Sequence, residues 1–155
     1  AYVKNPESHD PMLDHIWRYS ASVFSEHDLG GGWDLHNAFI WGLINFYDEV
    51  SALNSFNEEY WIHKNKMNFW GRIEHLQRTA SELNIVTANP NDPEWVTSLT
   101  MGYTHRLARW NNWAVGLGGS LTKDFLPSNF EAAYGGQPLT ARVFVQLGGM
   151  QMWHY

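Results

Sequence analysis

The chain has 155 residues and a formal net charge of -6, enough for one domain or part of one. Nine Trp, seven Tyr and eight Phe make it 15% aromatic, yet its mean hydropathy is only -0.41. The longest apolar stretch, Ala38 to Ile44, is strand-length and contains Gly42, far short of the roughly 18 to 20 residues of a spanning helix, so a helical membrane protein is excluded. The negative balance and the lack of any basic cluster exclude a nucleic-acid partner, because phosphate binding needs concentrated Lys and Arg. Without Cys there are no disulfides, thiolate metal sites or Cys nucleophiles, which agrees with an exported barrel. The first residues carry no basic and apolar leader, so any signal peptide is expected to be removed or to lie upstream.

The recurring feature along the chain is a strand of alternating pattern. Period-two reading places strands at 17 to 24, 33 to 47, 55 to 64, 67 to 78, 95 to 106, 113 to 125 and 139 to 151. The first is short and weak. The second, with Trp33, Phe39, Trp41 and Phe46, is apolar on both faces. In the third, Asn57, Glu59 and His63 oppose Phe56, Tyr60 and Ile62, with Glu58 interrupting the apolar set. In the fourth, Phe69, Gly71 and Ile73 alternate with Trp70, Arg72, Glu74, Leu76 and Arg78, so three charges project from one side, which should be wet.

The last three strands alternate most cleanly. Trp95, Thr97, Leu99, Met101, Tyr103 and His105 form a large, mostly apolar set against Val96, Ser98, Thr100, Gly102, Thr104 and Arg106. Trp113, Val115, Leu117, Leu121 and Phe125 oppose a small polar set that includes Ser120, Thr122 and Asp124. Leu139, Ala141, Val143, Val145 and Leu147 oppose Thr140, Arg142, Phe144, Gln146 and Gly148. A 3.6-residue period would mix these sets.

On this reading the connections run about eight, seven, two, sixteen, six and thirteen residues. The last four alternate short and long, as in outer-membrane barrels. The expected architecture is therefore all-β: an antiparallel transmembrane β-barrel with about seven strands here, as part of a larger barrel, since bacterial single-chain barrels have even strand numbers. Residues 1–16 are expected to be a loop or extracellular segment and 17–155 the barrel strands and loops. With the last strand ending in the periplasm, 79–94 and 126–138 lie outside the cell, while Asn65, Lys66 and the turn at 107–112 lie inside. Trp17, Trp33, Trp95, Trp113 and Trp153 fall near strand ends, where amphipathic rings sit at a bilayer interface. A soluble β-sandwich binding module is the alternative, since alternation and aromatics also build a soluble core.

Four stretches carry a resemblance: Trp70 to Arg78 (WGRIEHLQR), Leu99 to Leu107 (LTMGYTHRL), Val115 to Pro127 (VGLGGSLTKDFLP) and Tyr134 to Leu147 (YGGQPLTARVFVQL). With them the chain resembles the C-terminal part of uncharacterised, porin-like outer-membrane barrel proteins of Gram-negative bacteria. These similar proteins carry a charged strand, a T-x-GY strand, a GLG strand leading to a Pro, and a YG-x-x-P turn before the last strand. Met150 to Tyr155 (MQMWHY) departs by running past the expected strand, and Tyr155 supplies a terminal aromatic of the kind used in barrel assembly. The resemblance implies location in the bacterial outer membrane and carries no substrate with it. Outer-membrane lipid and lipopolysaccharide are the expected surroundings, with an envelope protein or a second copy as the protein partner.

Glu59, Arg72, Glu74, Arg78, Arg106 and Arg142 are expected to face the lumen. Arg or Lys at mid-bilayer on the lipid face costs about 2 to 4 kcal/mol, and mixed charges inside a barrel set a field that selects small ions and polar solutes. The same charges can instead form a salt-bridge lattice that stiffens the interior. The loop from Thr79 to Glu94, with Pro90 and Pro93, is placed to narrow the outer mouth.

The eight His show no HExxH and no i, i+2 pair on one strand, and the acidic residues form no calcium loop, so no metal or other cofactor is expected. Ser98 and Ser120 fall on the face opposite His75 and His105, and there is no G-x-S-x-G elbow, so the chain is not read as an enzyme. The Gly pairs lack the Lys and Ser of a phosphate loop and read as bends or bulges. The function expected is passage of small polar or ionic solutes, the alternative within the membrane being a non-conducting scaffold in an envelope complex.

Overall fold

The computed structural model describes residues 2–4, 15–46, 52–111 and 113–149. They build one all-β sheet in which consecutive strands pair antiparallel in chain order. The strands are β1 (Tyr2–Lys4), β2 (His15–Gly30), β3 (Trp33–Phe46), β4 (Leu53–Lys64), β5 (Met67–Arg78), β6 (Glu94–Trp110), β7 (Trp113–Phe125) and β8 (Leu139–Gly149). A short helix, α1 (Ser128–Tyr134), interrupts the last connection. No second sheet packs on this one among the described residues.

β5 and β7 have the bounds expected from alternation, β4 begins two residues earlier, and β3 and β8 start as expected, with residue 47 of the one and residues 150 and 151 of the other lying outside the described residues. β2 differs most: it has 16 residues rather than a short run. Its partner set on β3 explains the extension, since the register runs unbroken from Ile16↔Phe46 to Asp28↔Asp34. The alternation is hidden because Ser20 and Ser22 lie on one face while Ser25 and His27 lie on the other. The segment before residue 17, expected as loop, contributes residues 15 and 16 to β2 and the three residues of β1, paired Tyr2↔Trp17 and Lys4↔His15.

The first connection is correspondingly two residues long, not eight. Gly30, Gly31 and Gly32 all have positive φ (80, 61 and 77), a conformation that costs a residue with a Cβ about 1 to 2 kcal/mol. The Asp28 carboxylate accepts a 2.7 Å hydrogen bond from the Gly30 N–H and fixes the start of the turn. β6 likewise runs past the expected residue 106 to Trp110, because an irregularity at Leu107 restores pairing as Ala108↔Val115 and Trp110↔Trp113. Turn residues 31–32 and 65–66 and Asn111 therefore lie at one end of the sheet, and the longer connections 79–93 and 126–138 at the other. Asn65 and Asn111 supply the left-handed backbone at two of the short turns (φ 55 and 50).

The pairing register assigns the described side chains of β2 to β8 to one of two faces. One carries Trp17, Tyr19 and Val23 of β2, Phe39 and Trp41 of β3, Phe56 and Ile62 of β4, Phe69 and Ile73 of β5, then the odd residues of β6, β7 and β8 up to the irregularity at Leu107. Most of its large side chains are exposed: Met101 is 58% exposed, Leu121 56% and Val143 84%. The opposite face carries Glu59, Arg72, Glu74, Thr100, Thr122 and Arg142. Buried apolar side chains among the described residues are only Ile16, Leu53, Ala80, Ala114 and Phe130, so the sheet encloses no hydrophobic core of its own.

Candidate functional site: the polar concave face

The polar face is concave. A cavity of about 530 Å³ is lined by residues from β3 to β8, including His36, Glu59, Trp61, Trp70, Arg72, Glu74, Thr100, Ser120, Thr122 and Arg142. Six neighbouring strands can share one hollow only if the sheet curls about this face. Small residues on β6 and β7 accommodate the large rings beside them: a Cβ on Gly102 would lie 2.2 Å from Trp70 Cζ2, and one on Gly118 would lie 2.5 Å from Phe144 Cζ. Trp70 thus leans over β6 and Phe144 over β7, with ring centroids 6.3 Å apart. The Trp70 indole N–H donates to Thr104 Oγ1 at 3.3 Å, and Thr104 is buried.

Two rows of residues cross the cavity. In the first, the register runs Glu59↔Arg72↔Thr100↔Thr122↔Thr140. The tight turn at Asn65 and Lys66 sets Lys64 opposite Met67, and counting back along both strands places Glu59 opposite Arg72. The Arg72 guanidinium donates to Glu59 Oε1 through Nε at 2.8 Å and approaches the same oxygen through Nη2 at 2.7 Å. Its Nη1 lies 3.5 Å from Glu74 Oε1. Asn57 Nδ2 also donates to Glu59 Oε1, at 3.2 Å. Thr100 and Thr122 hydroxyls bond to each other at 2.9 Å. Side chains of Arg72 and Glu59 are 47% and 40% exposed, so this pair adds about 0.2 to 1 kcal/mol and serves mainly to fix positions.

The second row runs Glu26↔His36↔Trp61↔Trp70↔Gly102↔Ser120↔Arg142. Trp61, His36 and His63 form a cluster of three mutually adjacent rings, with Trp61 5.2 Å from His36 and 4.8 Å from His63, and the two imidazoles 5.6 Å apart. His63 Nε2 is 3.3 Å from Asp34 Oδ2. Arg142, on β8, lines the cavity without an ion pair among the described residues.

Of the charges expected in the lumen, Glu59, Arg72, Glu74 and Arg142 come together in the cavity. Arg78 and Arg106 share the polar face but lie toward its two ends. Arg78 Nη1 is 3.8 Å from Glu82 Oε1 at the start of the 79–93 connection, and Arg106 Nη2 donates to the Asn65 carbonyl at the short turn, at 2.9 Å. Alternation gives a face and not a depth, so it could not separate these two groups. His36, Trp61 and Trp70 were not singled out in the sequence as site residues. The signal for Trp61 and Trp70 was the same turn that pairs Glu59 with Arg72, since it also sets Trp61 opposite Trp70.

Of the five Trp expected at interfaces, Trp17, Trp33, Trp95 and Trp113 all lie on the apolar face. Trp17 and Trp95 are at the long-connection end, Trp33 and Trp113 at the short-turn end. Trp153 falls outside the described residues. Trp95 stacks on His75 at 4.2 Å with rings 3° apart, and Trp33 packs beside Phe69 at 6.3 Å with Lys64 Nζ 5.4 Å from its ring. His75 and His105 lie on this face, bonded to Thr97 Oγ1 and to the Tyr103 hydroxyl, while Ser98 and Ser120 lie on the other. No group of three or more His, Asp or Glu able to hold a metal occurs among the described residues.

Comparison with known proteins finds no matching family model, no matching curated protein and no matching solved structure.

Proposed function

We propose that the chain forms part of an outer-membrane β-barrel of a Gram-negative bacterium, with its apolar face against lipid and its polar concave face lining a passage for small polar or ionic solutes. The observation that carries this reading is the segregation of the two faces from β4 to β8. The exposed face is apolar and the polar one is hollow, the reverse of a soluble sheet, which buries its apolar side. An exposed apolar area of this extent needs a covering, and lipid hydrocarbon covers a sheet without demanding a complementary surface.

Three further features support the reading. Each long strand has at least the roughly 9 to 11 residues that a tilted strand needs to cross a bilayer. Short turns and longer connections segregate to opposite ends, as in outer-membrane barrels. Trp side chains stand on the apolar face near both ends of the strands, where interface aromatics belong. The resemblance to porin-like barrel proteins points the same way. The larger barrel, its lipid and lipopolysaccharide surroundings, and any envelope partner or second copy belong to this proposal.

The test is extraction and conductance. The protein should leave the outer-membrane fraction only with detergent, migrate differently on gels before and after heating, and produce steps of current in a planar bilayer. A heat-modifiable protein that is silent in the bilayer would favour the non-conducting scaffold. A protein soluble without detergent would overturn both readings.

A further inference from the structure

Formal charge within the cavity is divided between its two sides. On the β4 and β5 side, the Glu59 and Glu74 carboxylates share the single Arg72 guanidinium, which leaves one formal negative charge. On the β8 side stands Arg142, with no ion pair among the described residues. Between them lie the hydroxyls of Ser120, Thr100 and Thr122. The cavity is thus neutral in sum and polarised across its width, and its volume of about 530 Å³ lies in the range of sites for small molecules.

A simple anion would meet Arg142 but also the carboxylates, and a simple cation would meet the converse. A molecule bearing both charges can satisfy both sides at once. We propose that this hollow selects a small zwitterion with an ammonium and a carboxylate, such as a short peptide: the carboxylate on Arg142, the ammonium against Glu74 and Glu59, and the polar middle over the hydroxyls. Arg provides planar, two-pronged donation to a carboxylate, which makes it the specific side of the pair. This inference rests on the reading of the polar face as a solute-facing wall and adds the solute class to it.

The experiment is calorimetric titration of the detergent-extracted chain with glycylglycine and, separately, with N-acetylglycine, which keeps the carboxylate and loses the ammonium. Glycylglycine should bind at least tenfold more tightly than N-acetylglycine. Arg142→Gln and Glu74→Gln should each weaken glycylglycine at least tenfold, whereas Arg78→Gln, near the end of the face, should leave it unchanged. Each side is tested by its own variant, so loss of folding in one, seen as loss of heat-dependent mobility, leaves the other decisive. Absence of glycylglycine binding, equal binding of the two ligands, or indifference to both cavity substitutions would overturn the inference. Calorimetry needs no current, so a bilayer that stays silent would count against the passage reading alone.

Discussion

The two faces of the sheet are made by alternate residues of the same strands, yet they solve different problems. On β7, Leu117 and Leu121 project to the exposed apolar side, while Ser120 and Thr122 project into the hollow, where Thr122 bonds to Thr100. The apolar face spends its side chains on area and on ring contacts such as Phe39 with Phe56 and Phe69 with Tyr103. The polar face spends its side chains on directed bonds, as in Glu59 with Arg72. The comparison teaches that the two faces are distinguished by alternate residues of single strands, not by a core between layers.

The largest expected effect breaks that distinction directly. Leu121→Arg, on the apolar face, should destabilise the protein folded in lipid by about 2 to 4 kcal/mol. Thr122→Arg, one residue away, should cost less than about 1 kcal/mol because its long side chain enters the hollow. Denaturant titration of the vesicle-inserted protein measures both, and equal costs would deny that the faces differ. Next, Gly102→Ala forces a Cβ against the Trp70 ring and should cost about 1 to 3 kcal/mol, as overpacking does. The same titration, with Trp70→Leu as a second background that relieves the cost, checks the contact.

Smaller effects sharpen the picture. Asn65→Ala removes a residue tolerant of the left-handed turn at φ 55 and should cost about 1 kcal/mol, read from the unfolding midpoint. Arg72→Ala should change stability by no more than about 1 kcal/mol, because the pair it breaks is solvated. In a conducting barrel it should nonetheless shift ion selectivity toward cations, which a reversal potential under a salt gradient would report.

Much of the sheet was legible because period two survives wherever one face is apolar and the other is not. β5 and β7 follow it over most of their length, so their bounds could be read directly. β2 could not, because Ser20, Ser22 and Ser25 put polar groups on both sides, and its extent is set instead by the Gly-rich turn and by pairing with β3. α1 was also missed: its seven residues are too few for a helical period to show, although Pro127 before it and Gly135 after it (φ 73) mark both ends. Its anchor, Phe130, is fully buried, and Asn129 Nδ2 donates to Glu94 Oε1 at 3.1 Å, which ties the helix to the start of β6. Polar exceptions on the apolar face were partly visible. Glu58 interrupts the pattern of β4, and its carboxylate accepts from Asn37 Nδ2 at 3.2 Å. Lys123 interrupts that of β7, and its Nζ reaches the Gln137 carbonyl at 2.9 Å, near the long-connection end.

The site was less legible than the sheet. Glu59, Arg72, Glu74 and Arg142 could be assigned to one face from alternation, but their meeting across five strands depends on register and on curl. Register could be read at the Asn65 turn, where two residues leave no freedom. It could not be read across the 79–93 and 126–138 connections, which are too long to fix which residue faces which, so the place of Arg142 opposite Ser120 came only with the structure.

The most direct test of the account is a nitroxide scan of residues 117 to 123 on β7 in lipid vesicles, with accessibility to oxygen and to an aqueous nickel chelate measured at each position. The account predicts a period of two with opposite phase: oxygen maxima at Leu117, Leu121 and their odd neighbours, and nickel maxima at Gly118, Ser120 and Thr122. Equal accessibility of both sets to the nickel chelate would contradict it.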